Sequence, residues 1–335
     1  MRVLVIGGTG FIGRFVVPQL VDGGHDVAVF QRPDSAKPVP AGVHSIRGDR
    51  HDLSASAAEL RAFAPDVVVD LILSSGRQAA VLMELFRGHA GRVVAASSID
   101  VYRAMSVVHR QEEGPLEPLP LREDSALRTK LHPYPAAQIR AMQQVFAWLD
   151  EEYDKIPVER EVLGHSELPG TALRLPMIYG PGDPRHRFFP MLKRMDDGRP
   201  VIVLSRSVAG WRSPRGYVEN VAGALALAAT SDVASGRIYN VAEAESFSEL
   251  EWARMLADAT GWSGEFVVVE DDEAPASVRM AENLAQHLVA DTTRIRSELG
   301  YRESIARGSD QADNRVAARA PAGDRSGAVR LRGRG

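Results

Sequence analysis

The segment Gly7-Gly8-Thr9-Gly10-Phe11-Ile12-Gly13 carries glycines at positions 7, 10 and 13. It follows the apolar run Val3–Ile6 and opens a stretch of helical periodicity, which places it between a strand and a helix. Small residues there let the backbone approach a pyrophosphate, and the helix N-terminus offers it unpaired N–H groups. A glycine pattern alone is only a tight turn; the strand–turn–helix setting is what points to a dinucleotide. The end of the next strand should meet the adenosine ribose. Gln31 and Arg32 stand there, with no acid before Asp34. A planar guanidinium suits a 2′-phosphate, where a carboxylate would suit a free 2′-hydroxyl. NADP is therefore expected over NAD, unless Arg32 is merely a solvated loop arginine. Asp49, after the strand Val43–Arg47, is either a cap on the adenine pocket or a turn residue.

Other chemistries find less support. There is no cysteine, so thiolate nucleophiles, disulfides and cysteine-ligated metals are excluded. The nine histidines show no metal-ligand spacing. Gly164-His165-Ser166-Glu167-Leu168 lacks the last glycine of a nucleophile elbow and precedes a strand instead of following one. A formal net charge of −4 gives no general attraction for nucleic acid. The longest apolar run, near Val221–Ala229, is far short of the roughly 20 residues of a membrane span. Met1-Arg2 leads straight into a strand, without a signal-peptide pattern. A cytoplasmic location is the expectation.

Positioning a dinucleotide turn takes a parallel sheet, and the chain reads as one. After Val3–Ile6 come a helix over Phe11–Val21, stopped by Asp22-Gly23-Gly24, and a strand at Val27–Phe30. Val43–Arg47, Val67–Leu73, Arg92–Ala96 and Thr171–Leu175 are further strands, with a helix near 78–88. Such alternation predicts an α/β, doubly wound parallel sheet. Ala136–Leu149 reads as an amphipathic helix through Ile139, Met142, Val145, Phe146 and Leu149. Beyond the loop Tyr179–Pro184 the pattern is a smaller α+β region. Residues 303–335 are dominated by Ala, Arg and Gly, with only Ile305, Val316, Val329 and Leu331 as larger apolar side chains. They read as a disordered, mildly basic tail. The expected division is 1–175 for the dinucleotide domain, 176–302 for a substrate region and 303–335 for the tail.

Four stretches together resemble the extended short-chain dehydrogenase/reductases, the NAD(P)-dependent epimerase/dehydratase group. They are Gly7–Gly13, Ser97-Ser98-Ile99-Asp100-Val101-Tyr102, Leu173-Arg174 with Tyr179-Gly180-Pro181-Gly182, and Arg215-Gly216-Tyr217-Val218-Glu219-Asn220-Val221. The resemblance implies a Rossmann-type domain with a small C-terminal substrate domain. It also implies a serine that orients the substrate oxygen and a Tyr-x-x-x-Lys pair. In that pair the tyrosine exchanges a proton with substrate, and the lysine lowers its pKa and holds the nicotinamide ribose. Ser98 matches the serine, its plainer role being a polar cap at a strand end.

No Tyr-x-x-x-Lys exists in the chain. Tyr134 is followed at the lysine position by Gln138, whereas Lys155 with Glu159 resembles the Lys-x-x-x-Glu continuation but has Glu151 four residues before it. Tyr153 is nearer, yet residues two apart face opposite ways within one helix. An N-cap at Asp154 would put Pro157 at the third helical position, where its missing N–H costs nothing, and leave Tyr153 outside the helix. Tyr153 is then the proton donor or a hydrophobic staple on Val158. Met177 stands where sugar-nucleotide enzymes often carry Asn.

The expected catalytic set is therefore Ser98, Tyr153 and Lys155. The expected dinucleotide contacts are Gly7, Gly8, Thr9, Gly10, Phe11, Ile12, Gly13, Arg32, Asp49 and Lys155. The expected activity is hydride transfer at a hydroxyl or carbonyl of a small metabolite; no membrane or metal is expected, nucleic acid is disfavoured and a homodimer is compatible. The alternative is a catalytically impaired NADP-binding regulatory or RNA-binding protein on the same fold.

Overall fold

The computed structural model describes residues 1–305. Seven parallel strands form the main sheet in the order β10-β6-β5-β4-β1-β2-β3. They are β1 (Arg2–Ile6), β2 (Asp26–Gln31), β3 (His44–Arg47), β4 (Val67–Asp70), β5 (Arg92–Ser98), β6 (Gly170–Leu175) and β10 (Ile238–Asn240). The chain runs outward from β1 to β3, then restarts at β4 on the other side of β1, so a crevice opens at the carboxyl ends of β1 and β4. Three short strands lie between β6 and β10: β7 (Met177–Tyr179), β8 (Val201–Ser205) and β9 (Arg215–Tyr217). β7 pairs with β9, and β8 with β11 (Glu265–Val269).

The central strands are apolar on both faces because helices cover both. Val3 and Val5 point into one core with Val16, Val17 and Leu20 of α1 (Gly13–Asp22). Leu4 and Ile6 point into the other, with Leu82, Met83 and Phe86. This alternation along β1 follows from the two-residue period of a strand. Along the chain the remaining helices are α2 (Ala57–Ala62), α3 (Gly76–Phe86), α4 (Arg103–Val108), α5 (Ala136–Gln143), α6 (Lys155–Gly164), α7 (Phe189–Asp196), α8 (Arg206–Gly210), α9 (Val218–Thr230), α10 (Glu249–Thr260) and α11 (Thr293–Leu299).

Three features differ from the sequence expectation. The amphipathic helix ends at Gln143, not Leu149. Past that point two carbonyls have partners from elsewhere in the chain: His51 Nε2 lies 3.0 Å from Ala147 O, and Gln78 Nε2 donates to Trp148 O at 3.4 Å. Second, the chain returns to the large sheet after residue 176: β10 pairs with β6, and Val218, Val221 and Leu225 of α9 share the core of α1. Third, Glu303 pairs with Arg296, and Ile305 exchanges backbone hydrogen bonds of 3.0 and 3.1 Å with the Asn220 side chain. The tail therefore begins as a docked segment; its expected disorder over 306–335 lies outside the described residues.

Candidate active site

A cleft of about 510 Å³ runs along the carboxyl edge of the sheet, from Arg32, Ser35 and Lys37 at one end to Ser98, Tyr153 and Lys155 at the other. Gly7, Thr9, Gly10, Phe11, Ile12 and Gly13 line its middle. Gly8 packs inward, where a Cβ would stand 2.8 Å from Val29 Cγ2. At Gly13 a Cβ would lie 2.3 Å from Gly7 O, so only glycine lets α1 sit this close to the turn. At Gly10 it would meet nothing but Gly7 O, at 3.1 Å. No side chain caps α1 and no acid occupies its first turn. Arg14 N and Phe15 N already donate to Gly10 O and Ile12 O at 3.2 and 3.0 Å, so it is the positive dipole end of α1 and the turn before it that fit an anionic pyrophosphate.

At the first end, Arg32 is exposed and lies 3.7 Å from Asp34. Arg47 on β3 holds this loop, donating to the carbonyls of Arg32, Pro33 and Ser35 at 3.2, 3.1 and 3.0 Å. Asp49 borders the cleft and accepts from His51 N at 2.9 Å, which makes it the cap of the short helix Arg50–Ser56.

The other end is buried. Asp154 caps α6, accepting from Ile156 N at 2.9 Å, and Pro157 falls in the first turn as the spacing required. Arg128 grips the same carboxylate with both terminal nitrogens, at 3.1 and 2.6 Å. Tyr153 thus lies just ahead of the helix, its ring 5.6 Å from that of Tyr134. Lys155 opens the helix with only 5% exposure, and its ammonium donates to Leu73 O and to Ala96 O, the latter at 2.8 Å. Burial pulls its pKa down to about 8. Ser98 Oγ accepts from Asp100 N at 3.2 Å, so the hydroxyl does cap a strand end, and it also borders the cleft. Glu159, one turn past Lys155, receives Arg174 in two bonds of 3.0 and 2.7 Å and Ser97 Oγ at 2.5 Å, fastening α6 to β5 and β6.

Sequence reasoning missed Asp100. Tyr153 donates to its Oδ2 at 3.0 Å, and Tyr134 to the same oxygen at 3.4 Å. Burial pushes the Asp100 carboxyl above its ordinary range, against the pull of Arg128. Burial, then the neighbouring carboxylate, raises the Tyr153 phenol well above its usual value. Asp100 lies inside the Ser97–Tyr102 motif, but no spacing ties it to residues 134 and 153. Among the described residues no cluster of His, Asp and Glu has the makings of a metal site, and no helix is long and apolar enough to cross a membrane.

A doubly wound parallel sheet with a glycine turn at its switch point defines a Rossmann-type α/β protein. The chain belongs to the NAD dependent epimerase/dehydratase family, whose profile matches residues 3–242. It is 28% identical to the 2-alkyl-3-oxoalkanoate reductase of Stenotrophomonas maltophilia over 78% of this chain and 76% of that one. It is 25% identical to the chloroplast stem-loop binding protein of 41 kDa b of Arabidopsis thaliana, over 90% and 75% of the two chains. Among solved structures, the Thermus thermophilus UDP-glucose 4-epimerase complex with NAD superposes with a TM-score of 0.63 at 24% identity, covering 96% of this chain and all of that one.

Proposed function

We propose that the protein is an NAD(P)-dependent oxidoreductase or epimerase-type enzyme acting on a hydroxyl or carbonyl of a small metabolite. One observation carries this reading: Ser98 from the end of β5, and Tyr153 and Lys155 from the start of α6, border the same end of a cleft whose middle is the glycine turn. The nicotinamide, when bound, accepts or supplies hydride at C4. Tyr153 exchanges the proton of the reacting oxygen, Ser98 orients that oxygen, and Lys155 has a third N–H left for the ribose. The glycine turn and the N-terminus of α1 hold the pyrophosphate. Arg32, with Ser35 and Lys37 beside it, favours the 2′-phosphate of NADP, and Asp49 borders the adenine side.

On the substrate side, Arg187 borders both this cleft and a cavity of about 250 Å³, lined by Met177, Phe188 and Trp252 together with Arg194, Arg215 and Arg279. Walls that mix apolar side chains with arginines suit a ketone or secondary alcohol carrying both an apolar chain and an anionic group, in keeping with the name of the Stenotrophomonas maltophilia relative. The stem-loop-binding likeness favours a non-catalytic reading less, because all three side chains border the cleft that holds the glycine turn. Fluorescence titration with NADPH and NADH, followed by NADPH consumption with a 2-alkyl-3-oxoalkanoate as probe, tests the proposal. Tight NADPH binding is expected; a chain that binds neither nucleotide would overturn it.

A further inference from the structure

The arrangement around Tyr153 leaves a chemical problem. In a Tyr-x-x-x-Lys pair the ammonium makes the phenol more acidic, but here Lys155 Nζ lies 5.9 Å from the centre of the Tyr153 ring and gives two of its protons to backbone carbonyls. The hydroxyl of Tyr153 points instead to a carboxylate. A phenol hydrogen-bonded to a carboxylate is not held as phenolate, so it can accept a proton only by passing its own onward.

Asp100 is built to receive it. It is 4% exposed, and among the described residues the hydrogen bonds to its carboxylate come from no cation. Arg128 gives both Nη atoms to Asp154 and its Nε to the backbone carbonyl of Asp100, at 2.9 Å. The hydrogen bonds to the carboxylate come from two phenols, both at Oδ2, while Oδ1 is buried with no hydrogen-bond partner among the described residues. A buried carboxylate oxygen without a partner is costly as an anion and is relieved by a proton. The charged and titratable groups facing Asp100 are Arg128, Tyr153, Lys155, Asp154 and Tyr134.

We propose that Asp100 is the proton acceptor behind Tyr153, a positioning residue forming with Tyr134 a buried phenol–carboxylate–phenol relay that stands in for the missing Tyr-x-x-x-Lys pair. The step rests on the oxidoreductase reading above. In oxidation the substrate O–H bond breaks as Tyr153 Oη takes that proton. The Tyr153 O–H bond breaks in turn and its proton passes to Asp100, while hydride leaves the carbinol carbon for the nicotinamide with the bonding electron pair. Reduction runs the same transfers backwards. Tyr134, on the same carboxylate oxygen, tunes how readily Asp100 takes the proton.

The test needs no substrate. Full-length protein labelled with meta-fluorotyrosine is titrated by fluorine NMR, and Tyr153→Phe and Tyr134→Phe assign the two resonances. The wild-type Tyr153 resonance should show an acid-side step above the ordinary carboxylate range, where Asp100 takes up its proton. That step should vanish in Asp100→Asn. In Tyr134→Phe it should survive but move to higher pH, because the carboxylate has lost one of its two donors. Absence of the step in the wild-type protein, or its persistence in Asp100→Asn, overturns the relay. Should Asp100→Asn fail to fold, an unmoved step in Tyr134→Phe overturns it equally. Titration of the same samples with NADPH and NADH keeps the two ideas apart: a step in a protein that binds neither nucleotide overturns the enzyme reading and leaves a titrating cluster with no reaction to serve, and binding without a step breaks the relay alone.

Discussion

At one end of the cleft the Arg32 side chain is 61% exposed beside an Asp34 that is more exposed still; at the other, Lys155 is 5% exposed and held by two carbonyls. The Arg32 end is one loop, steered by Arg47 through its backbone. The Lys155 end is an assembly of β5, the loop before α5 and the start of α6, fastened by two buried ion pairs, Arg128–Asp154 and Arg174–Glu159. Charges in water interact weakly, so a ligand can take Arg32 from Asp34 at little cost. Buried charges have no such freedom, because each must keep its partner. One end can discriminate between ligands cheaply, while the other holds a fixed geometry.

Stability should separate the two ends most sharply. Arg128→Ala leaves Asp154 buried without its counter-ion and should cost about 3–5 kcal/mol. Arg32→Ala should stay within about 0.5 kcal/mol of wild type, as exposed substitutions do. Urea unfolding of both variants measures the contrast, and equal losses would erase it.

The next effect concerns chemistry rather than folding. Tyr153→Phe keeps the ring beside Tyr134 and removes only the hydroxyl. Turnover should fall about 10²-fold, as for loss of a positioned acid–base group, with NADPH affinity unchanged. If the ring acts only as a staple on Val158, both quantities stay at wild-type values.

The sequence made the exposed end readable and left much of the buried end hidden. Arg32 follows directly from where β2 stops, and the placement of Asp154 and Pro157 follows from local helix rules. The core of β1 was legible too, since strand periodicity sorts Val3 and Val5 from Leu4 and Ile6. The meeting of Asp100 with Tyr134 and Tyr153 was not. It joins residues 34 and 53 positions apart, and no short-range period records such a contact. The overlong helix at Ala136–Leu149 has the same cause. Its apolar spacing was real, but His51 and Gln78 reach the carbonyls of Ala147 and Trp148 from elsewhere in the chain.

A smaller effect sharpens the exposed end. Arg32→Ala should weaken NADPH binding about tenfold, the lower range for a charge-assisted hydrogen bond in a solvated site, and leave NADH binding unchanged. Arg47→Ala, which frees the loop without touching its charge, should reduce the same preference by less. Paired titrations with the two nucleotides measure this. An Arg32→Ala protein that still prefers NADPH would move the phosphate site to Lys37 or Arg14, which also border the cleft.

The smallest effect has two opposite signs, and that makes it diagnostic. Burial brings the Lys155 ammonium down to about 8 from its ordinary 10.5. As pH rises through about 8, the folded protein loses that charge and with it one charge-assisted contact to the ribose. NADPH affinity should fall about fivefold across this range, the worth of roughly one hydrogen bond. Stability should move the other way. Between about 8 and 10.5 the unfolded chain still holds the proton that the folded chain has released, so the unfolded state binds more protons and the Lys155 contribution to stability rises with pH. Lys155→Met should flatten both curves. Nucleotide titration and urea unfolding of the two proteins over that window measure each sign separately. Affinity that is flat in the wild-type protein while stability still rises would leave Lys155 as a buried clamp on Leu73 and Ala96, with the ribose held by other groups.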